Sequence, residues 1–112
     1  MLLRLSVQIA GSPAARERGL MNVTHLSDGQ GMVFAFPAIT NMAFWMKDTV
    51  IPLDIAFWNA AGRIVDVKRM QPCLRDPCAL YESKTAYIAS VEVAGGLLDR
   101  AGVRVGDSVS LG

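Results

Sequence analysis

The sequence predicts a mostly β fold with some helix: a single compact domain, barrel-like or sandwich-like, of short strands with one or two short helices over residues 1–112. The first observation is a series of short apolar runs, several rich in β-branched and aromatic residues, separated by Gly, Pro, Asn and Asp. The second is composition: the chain has 112 residues, 52% apolar and 19% charged, which is typical of a globular protein with one buried core.

Charge and hydropathy argue against several classes of function. The net charge is +1 with acids and bases interspersed, whereas a nucleic-acid groove or a polybasic membrane surface needs clustered Lys and Arg. No apolar run approaches the roughly 18 residues that span a bilayer, so we expect no transmembrane segment. The start, Met1–Leu5, lacks a basic region and a small-residue cleavage site, so we do not expect a signal peptide there.

The first elements follow from alternation and capping. Arg4–Ala10 alternates polar and apolar residues, as a half-buried strand does. Ser12 before a proline is a helix N-cap followed by the favoured first helical residue, which predicts a short helix over Pro13–Leu20. Gly31–Phe36 is an apolar run that predicts a strand closed by Pro37.

The most aromatic stretch is Met42–Trp58, which contains both tryptophans. Two apolar runs flank Lys47–Thr49, and we interpret them as two strands that meet across a bend. Pro52 cannot donate to a sheet, so it belongs at the start of the second strand. Trp45 and Trp58 are an odd number of residues apart, so on strands in unbroken register their side chains point to opposite faces. We expect Trp58 to be the more buried and Trp45 to face a ligand.

The second half of the chain continues as strands and turns. Turn residues after the aromatic stretch predict a hairpin, and β-branched residues predict strands on either side of a long loop. The predicted elements are a hairpin turn at Asn59–Gly62, strands at Arg63–Met70 and Ala86–Ala94, a loop at Gln71–Ser83, a helical turn at Leu97–Ala101 and a last turn and strand at Val103–Leu111.

Several motifs occur in a fixed order: Glu17–Met21, Gly31–Phe34, Phe44–Lys47, Ile51–Asp54, Gly62–Ile64, Tyr81–Ser83, Glu92 with Gly95, and Gly106 with Asp107. Over nearly the whole chain they resemble the domain of unknown function 192 family, which is widespread in bacteria and archaea. The resemblance implies a small β-rich domain, often behind an export signal, with no established biochemical activity. The chain departs from the family pattern at Asp48, where Asn is common, and at Asn22-Val23, where a basic residue is common. Because that basic residue is missing here, the resemblance does not support an anion-binding role for the residues after Met21.

Cys73 and Cys78 are separated by four residues, and a proline directly precedes each of them. A redox pair of the thioredoxin type needs a shorter spacing. Structural zinc needs four ligands, and His25 is the only histidine, so we expect no metal or other cofactor. A structural disulfide fits best, with two reduced thiols as the alternative. A disulfide indicates an exported, periplasmic or cell-envelope protein, whereas reduced thiols leave a cytoplasmic one.

Four residues are candidates for a binding site: Trp45, Lys47, Asp54 and Glu92. Lys47 and Asp54 are charges within the most apolar stretch, where they could form a site with Trp45 as its wall. The structural interpretation is that Asp54 accepts hydrogen bonds from backbone amides and that Lys47 covers apolar surface. Alternation directs Glu92 away from the valines beside it, either into a site or onto an exposed strand face.

Two functions remain open. One is a non-catalytic, envelope-associated domain that binds a small polar ligand, a glycan or a protein partner through the surface around Trp45, Lys47 and Asp54. The other is a small hydrolase or isomerase that uses Asp54 or Glu92 as acid or base, with Lys47 as electrostatic stabiliser. A deep pocket holding Lys47 and an acid with a shifted pKa would favour the enzyme, and a shallow aromatic groove the binding domain.

Overall fold

The computed structural model describes residues 3–111, so Met1 and Leu2, at the start where we expect no signal peptide, lie outside the described residues. The elements in chain order are β1 (Ser6–Ala10), α1 (Pro13–Arg18), β2 (Gln30–Thr40), β3 (Phe44–Trp45), β4 (Leu53–Trp58), β5 (Ile64–Met70), β6 (Leu80–Tyr81), β7 (Tyr87–Ala94) and α2 (Leu97–Arg100). Within residues 3–111, neither helix is long and apolar enough to cross a membrane.

Two sheets make up the β structure. The larger has five strands in the order β1-β2-β7-β4-β5, and the smaller pairs β3 with β6. β1 is parallel to β2, and the other neighbours are antiparallel. The predicted mostly β fold with short helices is confirmed, and its arrangement is sandwich-like. The barrel-like alternative is wrong, because β1 and β5 are free edges of an open sheet.

The N-terminal elements largely follow the prediction. The Ser12 hydroxyl accepts a hydrogen bond from the Ala15 amide at 3.1 Å and caps α1. The helix ends at Arg18, before the predicted Leu20, because Gly19 adopts a φ of 47°. β2 does not end at Pro37 as predicted. The register between β2 and β7 shifts between Ala35 and Thr40, and proline is tolerated at such an irregularity because no ladder bond requires its missing N–H.

The two strands of the aromatic stretch belong to different sheets. β3 pairs with β6, and β4 lies between β7 and β5, so the prediction that the two runs meet across a bend is wrong. Pro52 directly precedes β4, as predicted. β6 lies inside the predicted loop Gln71–Ser83, where its two residues, Leu80 and Tyr81, find a partner strand that local sequence does not reveal.

The C-terminal part contains one correction. The hairpin between β4 and β5 forms as predicted, and the Asn59 side-chain oxygen accepts from the amides of Ala61 and Arg63. No strand forms over Val103–Leu111; the residue pair Arg63 and Ser108 makes an isolated bridge there. The last segment is thus a series of turns that docks at the start of β5, where the Ile64 amide donates to the Asp107 carbonyl and the Ile64 carbonyl accepts from the Gly106 amide, both at 2.8 Å.

Aromatic side chains join the two sheets. On one face of the large sheet, the Phe57 and Tyr87 rings lie 4.8 Å apart, and Phe34 lies 5.1 Å from Phe44 of the small sheet. Edge-to-face contacts of this kind are favourable beyond the apolar area that they bury. The other face buries Ala56 and Val93 beneath Leu97 and Leu98 of α2.

Asp54 fixes α2 to the large sheet. Its carboxylate is buried, accepts from Arg69 Nε on the neighbouring strand, and accepts from the amides of Gly96 at 3.0 Å and Leu98 at 3.1 Å. All these donors would be left without a carboxylate if Asp54 were removed. The contacts correspond to the structural interpretation of this residue, an acceptor for backbone amides.

The predicted disulfide is confirmed. Cys73 and Cys78 are bonded, with their Cα atoms 5.8 Å apart. The loop that the disulfide closes lies at the surface, and Leu74 within it is exposed. Cys73 packs against the main apolar core, whose fully buried members all lie outside this loop.

We predict that Asp54→Ala lowers the free energy of unfolding by about 1–3 kcal/mol, because it leaves buried donors unpaired. Asp28→Ala is the matched control: Asp28 also pairs with an arginine, Arg100, but at an exposed position, so its removal should cost less than about 1 kcal/mol. Urea denaturation of both variants measures the difference. Equal losses would contradict the role of Asp54 in holding α2.

We predict that replacing Cys73 and Cys78 with serine lowers the free energy of unfolding by about 2 kcal/mol or less, since the closed loop is short. The far-ultraviolet circular dichroism of the strands should stay unchanged. Titration of free thiols on the denatured, unreduced protein checks the bond itself. Two reactive thiols would show that the bond does not form in the isolated protein.

Candidate functional site

A partly open cleft lies between α1, the segment 42–49 and the aromatic face of the large sheet. Its volume is about 530 Å³. The apolar part of the lining includes Met21, Phe34, Phe36, Phe44, Trp45 and Leu80. We refer to this space as the cleft. Its size falls within the range of small-molecule sites, roughly 300–1,000 Å³.

Trp45 forms one wall of the cleft. Side chains alternate along β3, so Phe44 enters the core and Trp45 points outward, where it is 38% exposed and pairs with Leu80 of β6. Trp58 is only 5% exposed. It lies on the face of the large sheet that points away from the aromatic rings. The predicted difference in depth between the two tryptophans is confirmed, and the ligand-facing role of Trp45 stays a prediction.

Lys47 lies at the rim of the cleft. Its Nζ is 5.3 Å from the centre of the Trp45 ring and 3.5 Å from the Asp76 carboxylate. The disulfide loop supports this rim, because the Asp48 amide donates to the Cys73 carbonyl at 2.9 Å. Asp48 has a φ of 56°, a left-handed conformation that Asn and Asp tolerate better than most residues.

Glu92 lies at the bottom of the cleft. In β7 it is directly opposite Met32 and Ile55, so it shares the core face with the aromatic rings and points away from the flanking valines, as alternation predicts. The alternative of an exposed strand face is wrong: the residue is only 4% exposed. Burial raises the pKa of the Glu92 carboxyl to about 8. This carboxyl is therefore largely protonated at neutral pH.

The polar groups on this face of β7 have few protein partners. No hydrogen bond or ion pair to the Glu92 carboxyl occurs among residues 3–111, and desolvation is the cause of its raised pKa. Ser90, two residues earlier, has a fully buried hydroxyl that also lacks a hydrogen-bond partner within the described chain. Buried polar groups are nearly always bonded, so a fully buried, unbonded hydroxyl two residues from a buried carboxyl distinguishes this face from an ordinary core.

Arg16 of α1 is a cleft residue that sequence reasoning missed. Its Nη1 donates to the carbonyls of Gly11 at 2.8 Å and Ala35 at 2.9 Å, and its guanidinium carbon lies 4.7 Å from the centre of the Phe36 ring. The helix that contains Arg16 could be predicted from the sequence. The contact of Arg16 with Ala35 could not, because Ala35 is 19 residues further along the chain and no local pattern indicates that the two residues meet.

Asp54 does not belong to the cleft. Asp54 and Ala56 are two residues apart in β4, so their side chains point to the same face. That face is covered by α2 and is opposite to the face with Glu92. The structure therefore brings Trp45, Lys47 and Glu92 around one space and places Asp54 elsewhere. The carboxylate beside Lys47 is that of Asp76.

The cleft combines apolar walls with a few charged groups. Arg16, Arg18 and Lys47 contribute positive charge to its lining, and Glu17 and Glu92 contribute carboxyl groups. Among residues 3–111, no group of three or more His, Cys, Asp and Glu side chains is placed to hold a metal ion. The arrangement is suited to holding an organic molecule by ring or chain contacts, with hydrogen bonds at one end.

Solved structures similar to this chain share its fold. One is a protein of unknown function from Novosphingobium aromaticivorans DSM 12444, with 31% sequence identity, a TM-score of 0.87, and 96% of this chain matched to 75% of that one. Another, from Sinorhizobium meliloti 1021, is described as a candidate transcription regulator. It has 31% identity and a TM-score of 0.86, with 93% of this chain matched to 79% of that one. A comparison with curated proteins found no match.

The family resemblance seen in the motifs is confirmed over almost the full sequence. The model of the domain of unknown function 192 family, described as "Uncharacterized ACR", matches residues 2–111. The chain belongs to this family of uncharacterised proteins.

Proposed function

We propose that the protein is a non-catalytic binding domain that takes a small ligand, with an apolar body and a polar end, into the cleft. The observation that carries this proposal is the Glu92 carboxyl: it is buried and has no protein partner among the described residues, at the bottom of a cleft walled by aromatic rings. Leaving a buried polar group unbonded costs about 1–3 kcal/mol. A ligand that bonds this group offsets the cost.

The walls favour a ring or hydrocarbon chain as the ligand body. Trp45 and Phe36 provide aromatic surface, and Met21 supplies a flexible side chain that adapts to irregular shapes. A glycan would use the exposed ring of Trp45 but would leave most of the apolar lining unmatched. A protein partner would cover the exposed Met42 and Leu80 at the rim without reaching Glu92. A small amphipathic molecule uses both features.

Association with the cell envelope is part of the same proposal. It is supported by the disulfide between Cys73 and Cys78, since stable disulfides form in oxidising compartments. An exported domain meets molecules of the periplasm or envelope, so its ligand would come from that compartment.

An acid–base enzyme is the second candidate, and the pKa of Glu92 favours it. A carboxyl group with a pKa of about 8 can both donate and accept a proton near neutral pH. Against this, Lys47 is half-exposed at the rim and paired with Asp76, whereas Glu92 is buried at the bottom. The pair is not assembled around a single reacting atom, so binding is the better supported function.

We predict that phenylbutanol, a ring with a short chain and a hydroxyl, binds the cleft and is detected by isothermal titration calorimetry. Trp45→Ala should weaken this binding roughly tenfold, because the ring loses its stacking partner and apolar contact area. Ile39→Ala is the control: Ile39 is also an exposed large apolar residue, 64% exposed, but it lies outside the cleft. An equal loss of binding in both variants would contradict the proposal.

We predict that stability depends on pH through Glu92. The folded protein keeps this proton up to about pH 8, whereas the unfolded chain releases it near the ordinary value of 4.5. The free energy of unfolding should therefore decrease as the pH rises through this interval, by at most about 1.4 kcal/mol per pH unit. Glu92→Gln should flatten this decrease, and Glu82→Gln, at an exposed site, should not. Denaturant unfolding at several pH values measures the slopes, and identical slopes would refute the buried carboxyl.

A further inference from the structure

Arg16 is a positive group fixed in place with donors to spare. Two backbone carbonyls accept from its Nη1, and Phe36 supports the guanidinium plane, so the side chain is held without a carboxylate partner. None of the ion pairs within residues 3–111 includes it. A guanidinium has five N–H donors in a rigid fork, and two of its favoured partners are carboxylate and phosphate.

The other charged groups of the cleft make its lining cationic at neutral pH. Arg18 and Lys47 add positive charge, and Glu17 adds one exposed carboxylate. Lys47 is partly neutralised by Asp76, which lies outside the lining. Glu92, being neutral, does not repel an anion and offers an O–H donor. Arg16 and Glu92, which both line the cleft, thus offer two kinds of donor, one charged and one neutral.

Resting on the proposed binding function, we infer that the ligand is an organic carboxylate, with its apolar body against Trp45 and its carboxylate between the Arg16 guanidinium and the Glu92 carboxyl. The guanidinium supplies charge-assisted N–H donors, and the protonated acid donates its O–H to the same anion. Ionisation of Glu92 would replace that donor by a second negative charge. The residues after Met21, where the family commonly has a basic residue, take no part.

Three probes with the same body test this inference: phenylbutyrate, phenylbutanol and phenylbutylamine, titrated calorimetrically at neutral pH. Phenylbutyrate should bind about tenfold or more tightly than phenylbutanol, because hydrogen bonds to a charged group are the stronger ones, and phenylbutylamine should bind most weakly. If none of the three binds, the proposed function fails. If all bind with similar affinity, the function stands and the carboxylate inference is overturned.

Arg16→Met tests the charged donor. The variant should bring the affinity for phenylbutyrate down to that for phenylbutanol, whose own binding reports that the cleft is intact. Arg104→Met removes the same charge from an exposed site outside the cleft and should leave the preference unchanged. A preference lost equally in both variants would mean that overall charge, and not Arg16, selects the anion. Because Arg16 also bonds the backbone, the three-probe comparison on the unaltered protein decides the question if the variant does not fold.

Raising the pH tests the neutral donor. Phenylbutyrate binding should weaken about tenfold at about pH 9, where Glu92 loses its proton. Phenylbutanol binding should change little, since its hydroxyl can donate to a carboxylate. Glu92→Gln keeps a neutral donor at this position and should abolish the pH dependence. Phenylbutyrate affinity that is independent of pH in the unaltered protein would exclude Glu92 from the carboxylate site.

Discussion

The structure depends on aromatic packing between its two sheets. β3 and β6 are two residues each, and so short a pair does not hold together by its own backbone bonds. Phe44 fixes the pair to the large sheet, with its ring 5.1 Å from Phe34 and 5.8 Å from Phe57. Because alternate side chains point to opposite sides of a strand, burying Phe44 forces Trp45 outward. One packing interaction thus holds the small sheet in place and creates the wall of the cleft.

A second constraint is the free energy that the protein loses by burying the polar side chains of Glu92 and Ser90 on the core face of β7. Burying the Glu92 carboxyl away from water and leaving the Ser90 hydroxyl without a protein partner both reduce stability. Departures from consistent core packing are concentrated at functional sites, which supports placing the proposed binding site at this strand.

Sequence reasoning predicted the local features and missed the long-range ones. Capping by Ser12, the hairpin after Trp58 and the strand over β7 depend on neighbouring residues, and they could be read directly. The pairing of β3 with β6, and the extension of β2 through Pro37, depend on partner strands far along the chain. Trp45, Lys47 and Glu92 stood out as unusual residues in apolar surroundings, which is a local signal. Arg16 gave no such signal, and Asp54 gave the same signal for a purely structural reason, because sequence alone does not show on which face a buried charge finds its donors.

The walls of the cleft are joined to each other behind the site. The Asn22 amide donates to the Asp48 carbonyl at 2.8 Å, and both residues have left-handed φ values, 63° and 56°. This bond links the turn after Met21 to the segment with Lys47, and the Asp48 amide in turn reaches Cys73. Such non-glycine conformations cost free energy and persist where surrounding contacts over-determine them. The disulfide therefore acts on the cleft as well, because it fixes the loop that braces the Lys47 rim. Holding a wall in place before a ligand arrives reduces the entropy lost on binding.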